Sequence, residues 1–304
     1  MFSYRHAFHA GNHADVLKHL VLIATLRHLM LKPPALTLVD THAGAGLYRL
    51  DSEFADKGGE AEHGVVRLFA ALRPAQGKGG ASTPLIDDYL DLVAGFNPGG
   101  SLRIYPGSPF VMQRLMRDAS RDRLKLFELH PTDGKTLSSN MGQLEAGRSV
   151  VVIRQDGFEG LKPLLPPPAD AQGSRRALVL IDPSYELKSD YGKVSACILD
   201  ALKRFATGTY VVWYPVIPRT EAHDLPRKLR AAAQRAGRGW LHATLAVGHP
   251  PLEPNERPGL TASGVFVINP PHTLAAGLKA ALPLLVDVLG RGRGQGHAVE
   301  SGEA

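Results

Sequence analysis

The sequence predicts an α/β fold: a seven-stranded, mostly parallel sheet with an antiparallel terminal hairpin and a small helical insertion. Three observations lead there. Short apolar runs bounded by turn signals recur at intervals wide enough to hold helices. Helical patterns fill most of those intervals, so the early strands run parallel and are joined by crossovers. Only a Pro-rich turn, GHPPLEPNERPGL, joins the last two runs, and that pair reads as an antiparallel hairpin.

In chain order the strands are LTLVD (36–40), LKLFE (124–128), SVVVIR (149–154), ALVLID (177–182), TYVVWY (209–214), LHATLAV (241–247) and SGVFVIN (263–269). Helices are expected over Pro131 to Leu144, Tyr191 to Phe205 and Glu221 to Ala236. Ahead of the first strand, Asn12 is an N-cap with Asp15 three residues on, opening a helix to about Met30. Val16, Leu17, Leu20, Ile23 and Leu26 repeat at helical spacing and belong to a core, which leaves Lys18 and His19 near the helix start. More than eighty residues separate the first two strands, far more than a crossover needs. Residues from about 51 to 100 therefore form a helical insertion, GVVRLFAALR and LIDDYLDLVAGF split by the Gly-rich AQGKGGAST. The expected organisation is one domain over 1–290, with its N-terminal motif helix in 1–31, and a flexible Gly/Arg-rich tail over 291–304.

A chain of 304 residues, 44% hydrophobic and 21% charged, buries a full core. Its single cysteine, Cys197, excludes an internal disulfide and a cysteine-rich zinc site and fits a reducing cytoplasm. The histidine-rich start lacks a signal peptide's apolar core, and LVLIATL is too short to cross a bilayer, so a cytoplasmic protein with no membrane partner is expected. Lys and Arg exceed Asp and Glu by six, an excess that favours polyanions and above all nucleic acid. The cluster Arg114, Arg117, Arg121, Arg123 and Lys125 fits that reading, though solvated helix faces explain it too. His6, His9 and His13 have no cysteine or clear carboxylate partner, so no metal is expected. No G-x-S-x-G motif supports a serine hydrolase.

The strand ends carry the chemistry. In open α/β sheets ligands bind at the carboxyl edge. DTHAGAG after the first strand is a glycine turn whose dinucleotide fingerprint is incomplete, because Arg49 stands where a third glycine belongs. Glu128 ends the second strand and suits a ribose diol; Asp156 and Gly157 follow the third and suit the amino edge of an adenine. Each acid serves equally well as a helix cap. After the fourth strand Pro183 stops the ladder behind Asp182. This order matches a class I (Rossmann-like) methyltransferase sheet that holds S-adenosylmethionine, a cofactor without the pyrophosphate that a third glycine serves. The exocyclic amine of adenine has its lone pair delocalised into the ring, so its N–H groups must be held. Asp182 and the Pro183 carbonyl can each accept one, Asp182 can take the proton afterwards, and Tyr185 is expected to offer the extruded base a stacking face.

MFSYRHAFHAGNHADVLKH, VDTHAGAG, YPGSP, ELHP, Asp156–Gly157, LIDPSYE, KRFATGTYVVWYP and LTASGVFVINPP together resemble the RlmJ family of bacterial 23S ribosomal RNA adenine-N6 methyltransferases, in order and along nearly the whole chain. The resemblance implies methylation of the adenine at position 2030 of 23S rRNA, with S-adenosylmethionine as donor. It implies that His19, His42, Ser108, Glu128, Asp156, Gly157 and Asp182 line the cofactor pocket, that Asp182 is catalytic, and that Tyr4 contacts the RNA. Ser108, followed by Pro109, also reads as a helix N-cap. The family's motif is Asp-Pro-Pro-Tyr, whereas Ser184 replaces the second proline here; the groups the chemistry needs are retained, and activity with a less stiff turn is expected. The expected protein is a monomer. Two other readings stay open: a DNA adenine-N6 methyltransferase, and a noncatalytic RNA-binding protein of the same fold.

Overall fold

The structure is a computed structural model and describes residues 8–51, 59–73, 80–144, 147–251 and 259–303. Helix α1 (His13–Leu29) begins at Asn12, whose side chain accepts from the backbone N–H of Ala14 and Asp15. It carries apolar residues on every side and is buried on all sides over its first three turns, polar His13, Asp15, Lys18 and His19 included. Arg117 and Arg176 close its other end, donating to the carbonyls of Met30, Lys32 and Pro34 and of Leu29, Lys32 and Pro34 respectively. Arg117 also pairs with the buried Asp122 at 2.9 Å, so this member of the basic cluster is a structural clamp.

Among the described residues the main sheet has eight strands, in the order β10 (Arg293–Gly302), β8 (Trp240–His249), β9 (Ala262–Ile268), β7 (Thr209–Pro215), β6 (Ala177–Ile181), β1 (Thr37–Asp40), β4 (Arg123–Phe127) and β5 (Val150–Ile153). β1, β4, β5, β6 and β7 pair in parallel. β8 and β9 form the expected antiparallel pair, with β9 against β7. Strand β6 is buried along its whole length, and its side chains alternate between two cores. Leu178 and Leu180 face α1, the insertion and the last helix (Leu274–Leu289), while Val179 and Ile181 face the helices Ser189–Arg204 and Thr220–Arg235.

Two features depart from the sequence reading. Residues 293–302, expected to be part of a flexible tail, form β10, which pairs antiparallel with β8 from Arg293↔His249 to Gly302↔Trp240. An edge strand is held by backbone hydrogen bonds to one neighbour, so its side chains stay largely exposed and leave no apolar pattern to read. A second sheet, β2 (Leu47–Arg49) with β3 (Ile104–Pro106), closes the base of the insertion with only three residues a side. Between them run a π-helical turn (Glu62–Val66) and the helices Arg67–Leu72 and Pro84–Ala94. Among the described residues no helix is long and apolar enough to cross a membrane, and no cluster of His, Cys, Asp and Glu could hold a metal ion.

Candidate active site

From β1 the chain moves outward to β4 and β5, then returns to β6 on the other side of β1. That reversal opens a crevice at the carboxyl ends of the strands, here a cleft of about 360 Å³. His19 reaches it from α1, His42 from the loop after β1, and Ser108 from the start of the helix Ser108–Leu115; Glu128, Asp156 with Gly157, and Asp182 follow β4, β5 and β6. Pro183 and Ser184 line it as well. All seven residues expected around the cofactor thus meet in one cleft.

The glycine turn is tied to Glu128. Gly44 has φ +60° and donates its N–H to Glu128 Oε2 at 2.7 Å, while His130 N donates to Oε1 at 2.6 Å. Each oxygen keeps a second lone pair, so the carboxylate can still accept hydroxyls. Burial raises the pKa of Glu128 despite these two bonds. On the β5 side Asp156 is a cap: its Oδ1 accepts from the N–H groups of Phe158 (2.8 Å) and Glu159 (3.2 Å), and Oδ2 has no hydrogen-bond partner among the described residues. Gly157 packs backbone to backbone on the β1 loop, and a Cβ there would lie 1.9 Å from Thr41 O.

His42 is hydrogen-bonded to Thr41 Oγ1 at 2.8 Å and meets the edge of Phe158; burial lowers its pKa to about 4, so it is neutral at physiological pH. His19 stacks on Tyr105 and bonds its hydroxyl at 2.8 Å. Ser108 is not the expected N-cap: Gly107 holds that position, and Ser108 Oγ donates to Asp40 Oδ2 at 2.6 Å. Asp40 is fully buried at the end of β1, and burial lifts its pKa to about 7.

Asp182 has a partner that sequence reasoning did not name. Lys18 Nζ lies 2.5 Å from Asp182 Oδ2 and 2.8 Å from Asp15 Oδ1, and 5.8 Å from the centre of the Trp213 ring. Burial works against the charge of Lys18, but the two carboxylates outweigh it and hold its pKa well above the usual lysine value. The other oxygen, Asp182 Oδ1, has no partner among the described residues. A signal for the pair did exist, since Asp15 and Lys18 are opposite charges at i and i+3 among the apolar Val16, Leu17 and Leu20.

Of the expected substrate contacts, one falls outside the described residues and one is turned away from the cleft. Tyr4 lies outside the described residues, as does His6. Tyr185 does not offer a stacking face: it is 3% exposed, its hydroxyl donates to Trp213 O at 2.7 Å, and its ring packs on Tyr191 and Trp213. The cause is local. Tyr185 adopts φ +54°, rare for an aromatic residue, and its ring sits in the core behind the cleft.

The family described as "Ribosomal RNA large subunit methyltransferase D, RlmJ" matches residues 33–301. The Escherichia coli (strain K12) protein "Ribosomal RNA large subunit methyltransferase J" is 42% identical over 302 residues, 99% of this chain and 98% of that protein. The Haemophilus influenzae protein of the same name is 42% identical over 293 residues, 95% and 94% of the two chains. The crystal structure of protein LPL1258 from Legionella pneumophila aligns with a TM-score of 0.79 at 32% identity, covering 97% of this chain and 98% of that one.

Proposed function

This chain belongs to the RlmJ family of ribosomal RNA large subunit methyltransferases, and from that premise we propose that it methylates the exocyclic N6 amine of an adenine in 23S ribosomal RNA, at position 2030, in the cytoplasm. The observation that carries the chemical part is the Asp182 carboxylate, tethered at Oδ2 by Lys18 and open at Oδ1, beside Pro183 at the cleft.

The donor set suits S-adenosylmethionine: a cationic sulfonium is favoured by the carboxylates of Glu128, Asp156 and Asp182 around one cleft, and no anion-binding glycine-rich helix start is required. Bound there, it would supply an electrophilic methyl group. Glu128 would accept the ribose hydroxyls and Asp156 would face the adenine ring of the cofactor. Asp182 Oδ1 and the Pro183 carbonyl accept the two N–H bonds of the target amine, which turns its lone pair toward the methyl carbon. Lys18 fixes the rotamer of Asp182, so the acceptor is in place before the base arrives. A strong base is unnecessary, because the methylated amine is transiently cationic and sheds its proton readily to a carboxylate.

Incubation with tritiated S-adenosylmethionine and unmodified 23S rRNA tests the reading. Label at N6 of the stated adenine, lost in Asp182→Ala, is expected. Label on duplex DNA alone would favour a DNA methyltransferase, and RNA binding without label would favour a noncatalytic protein.

A further inference from the structure

The helical insertion meets the start of α1 through Glu60, Gly64 and Val65. Glu60 Oε1 accepts from His9 Nδ1 at 2.9 Å, and Glu60 Oε2 accepts from Asn12 Nδ2 at 2.8 Å, the amide of the very side chain that caps α1. One turn on, Val65 N donates to Gly11 O at 2.8 Å. Gly64 lies flat against the same segment: a Cβ on it would sit 2.1 Å from Gly11 O and 2.7 Å from Asn12 Cα, both backbone atoms that cannot swing aside. Gly11 is fitted from the other side as well, with φ +79° and with Val65 Cγ1 2.8 Å from where its Cβ would be.

The seat continues into the active site without a gap. Gly11 N donates to Asp15 Oδ2 at 2.9 Å, Asp15 Oδ1 holds Lys18 at 2.8 Å, and Lys18 holds Asp182 at 2.5 Å. Asp15 is 2% exposed and Lys18 4%, so neither can exchange its partner for water. The angular position of Lys18 around the axis of α1 follows from where α1 begins, and that is decided by how residues 9–12 are seated on the insertion.

We infer that the insertion is a positioning device for the methyl-transfer site, in which Glu60 and Gly64 seat residues 9–12 and thereby hold Lys18 against Asp182. This rests on the functional reading above. Glu60 and Gly64 are positioning residues, because they touch neither the cleft nor Asp182. Displacing the seat moves the ammonium and, with it, the orientation of Asp182; the glycine turn, Glu128 and Asp156 stand on other strands and are untouched, and of the cofactor-side residues only His19 rides on α1.

The test compares the full-length parent with Glu60→Ala, Glu60→Gln and Gly64→Ala. Single-turnover methyl transfer to 23S rRNA, cofactor affinity by calorimetry, melting temperature, and amide hydrogen exchange over residues 9–20 are measured. Both alanine variants are expected to slow the single-turnover rate at least tenfold at saturating RNA, to change cofactor affinity less than threefold, and to speed exchange over residues 9–20. Glu60→Gln, which keeps an acceptor for Asn12, is expected to recover most of the rate. Single-turnover rates within twofold of the parent in Glu60→Ala and Gly64→Ala overturn the inference, as does a loss of rate matched by an equal loss of cofactor binding. Should Gly64→Ala fail to fold, the two Glu60 variants decide alone. A parent that labels no RNA overturns the functional reading, and hydrogen exchange then decides the seat by itself: unchanged exchange in Glu60→Ala overturns it.

Discussion

Lys18 Nζ stands between Asp15 Oδ1 at 2.8 Å and Asp182 Oδ2 at 2.5 Å, joining the first helix to the end of the central strand β6 through a single buried ammonium. One cation serves two carboxylates, and the three side chains are 5%, 2% and 12% exposed. Removing the cation leaves two acids facing each other in a low dielectric.

Lys18→Met is therefore expected to cost about 3–5 kcal/mol of folding stability, the range for breaking a buried ion pair by deleting one partner. Urea unfolding measures it. Methyl transfer is expected to fall at least a hundredfold in both Lys18→Met and Asp182→Ala. Only the lysine variant should lose several kilocalories, because Asp182→Ala leaves Lys18 paired with Asp15.

Glu128→Ala removes the acceptor that pins Gly44 N and His130 N. Cofactor affinity, read by calorimetry, is expected to drop at least tenfold, with RNA affinity in a filter-binding assay unchanged. Glu128→Gln should fall between the two, since an amide can accept at only one of the two positions.

Tyr185→Phe deletes the bond from its hydroxyl to Trp213 O and should cost about 1 kcal/mol. The rate of methyl transfer is expected to fall less than tenfold, because the ring anchors the turn that carries Asp182 and Pro183 and does not line the cleft. Denaturation midpoints and initial rates together check this.

Stability should depend on pH through buried groups whose signs oppose. Asp40, lifted from 3.8 to about 7, keeps its proton in the folded chain where the unfolded chain has released it, so its contribution falls as pH rises from about 4 to about 7. His13 and His42, lowered by burial from 6.5 to about 4, resist protonation in the folded chain; the stability tied to them is present above pH 6.5 and lost as pH falls to about 4. In Asp40→Asn the first slope disappears. The stability of the variant relative to the parent, from urea titrations, is expected to rise between about pH 4 and about pH 7 and to level off above it.

The sequence by itself determined seven strands of the main sheet and the contents of its carboxyl edge. Strands buried on both faces, such as Leu178 to Ile181, read as apolar runs, and the residue that ends each run is at the edge whatever the packing, so Glu128, Asp156 and Asp182 were legible in order. Asn12 announced its helix because a cap is a local bond. What stayed hidden was held by partners far along the chain. Strand β10 takes its shape from β8, the ring of Tyr185 is turned by a left-handed backbone onto Trp213 and Tyr191, and Lys18 meets Asp182 across 164 residues. Local patterns record what a residue does to its own segment. Ion pairs, edge pairing and the seating of one segment on another depend on distances that exist only after the chain has packed, and tertiary structure alone decided them.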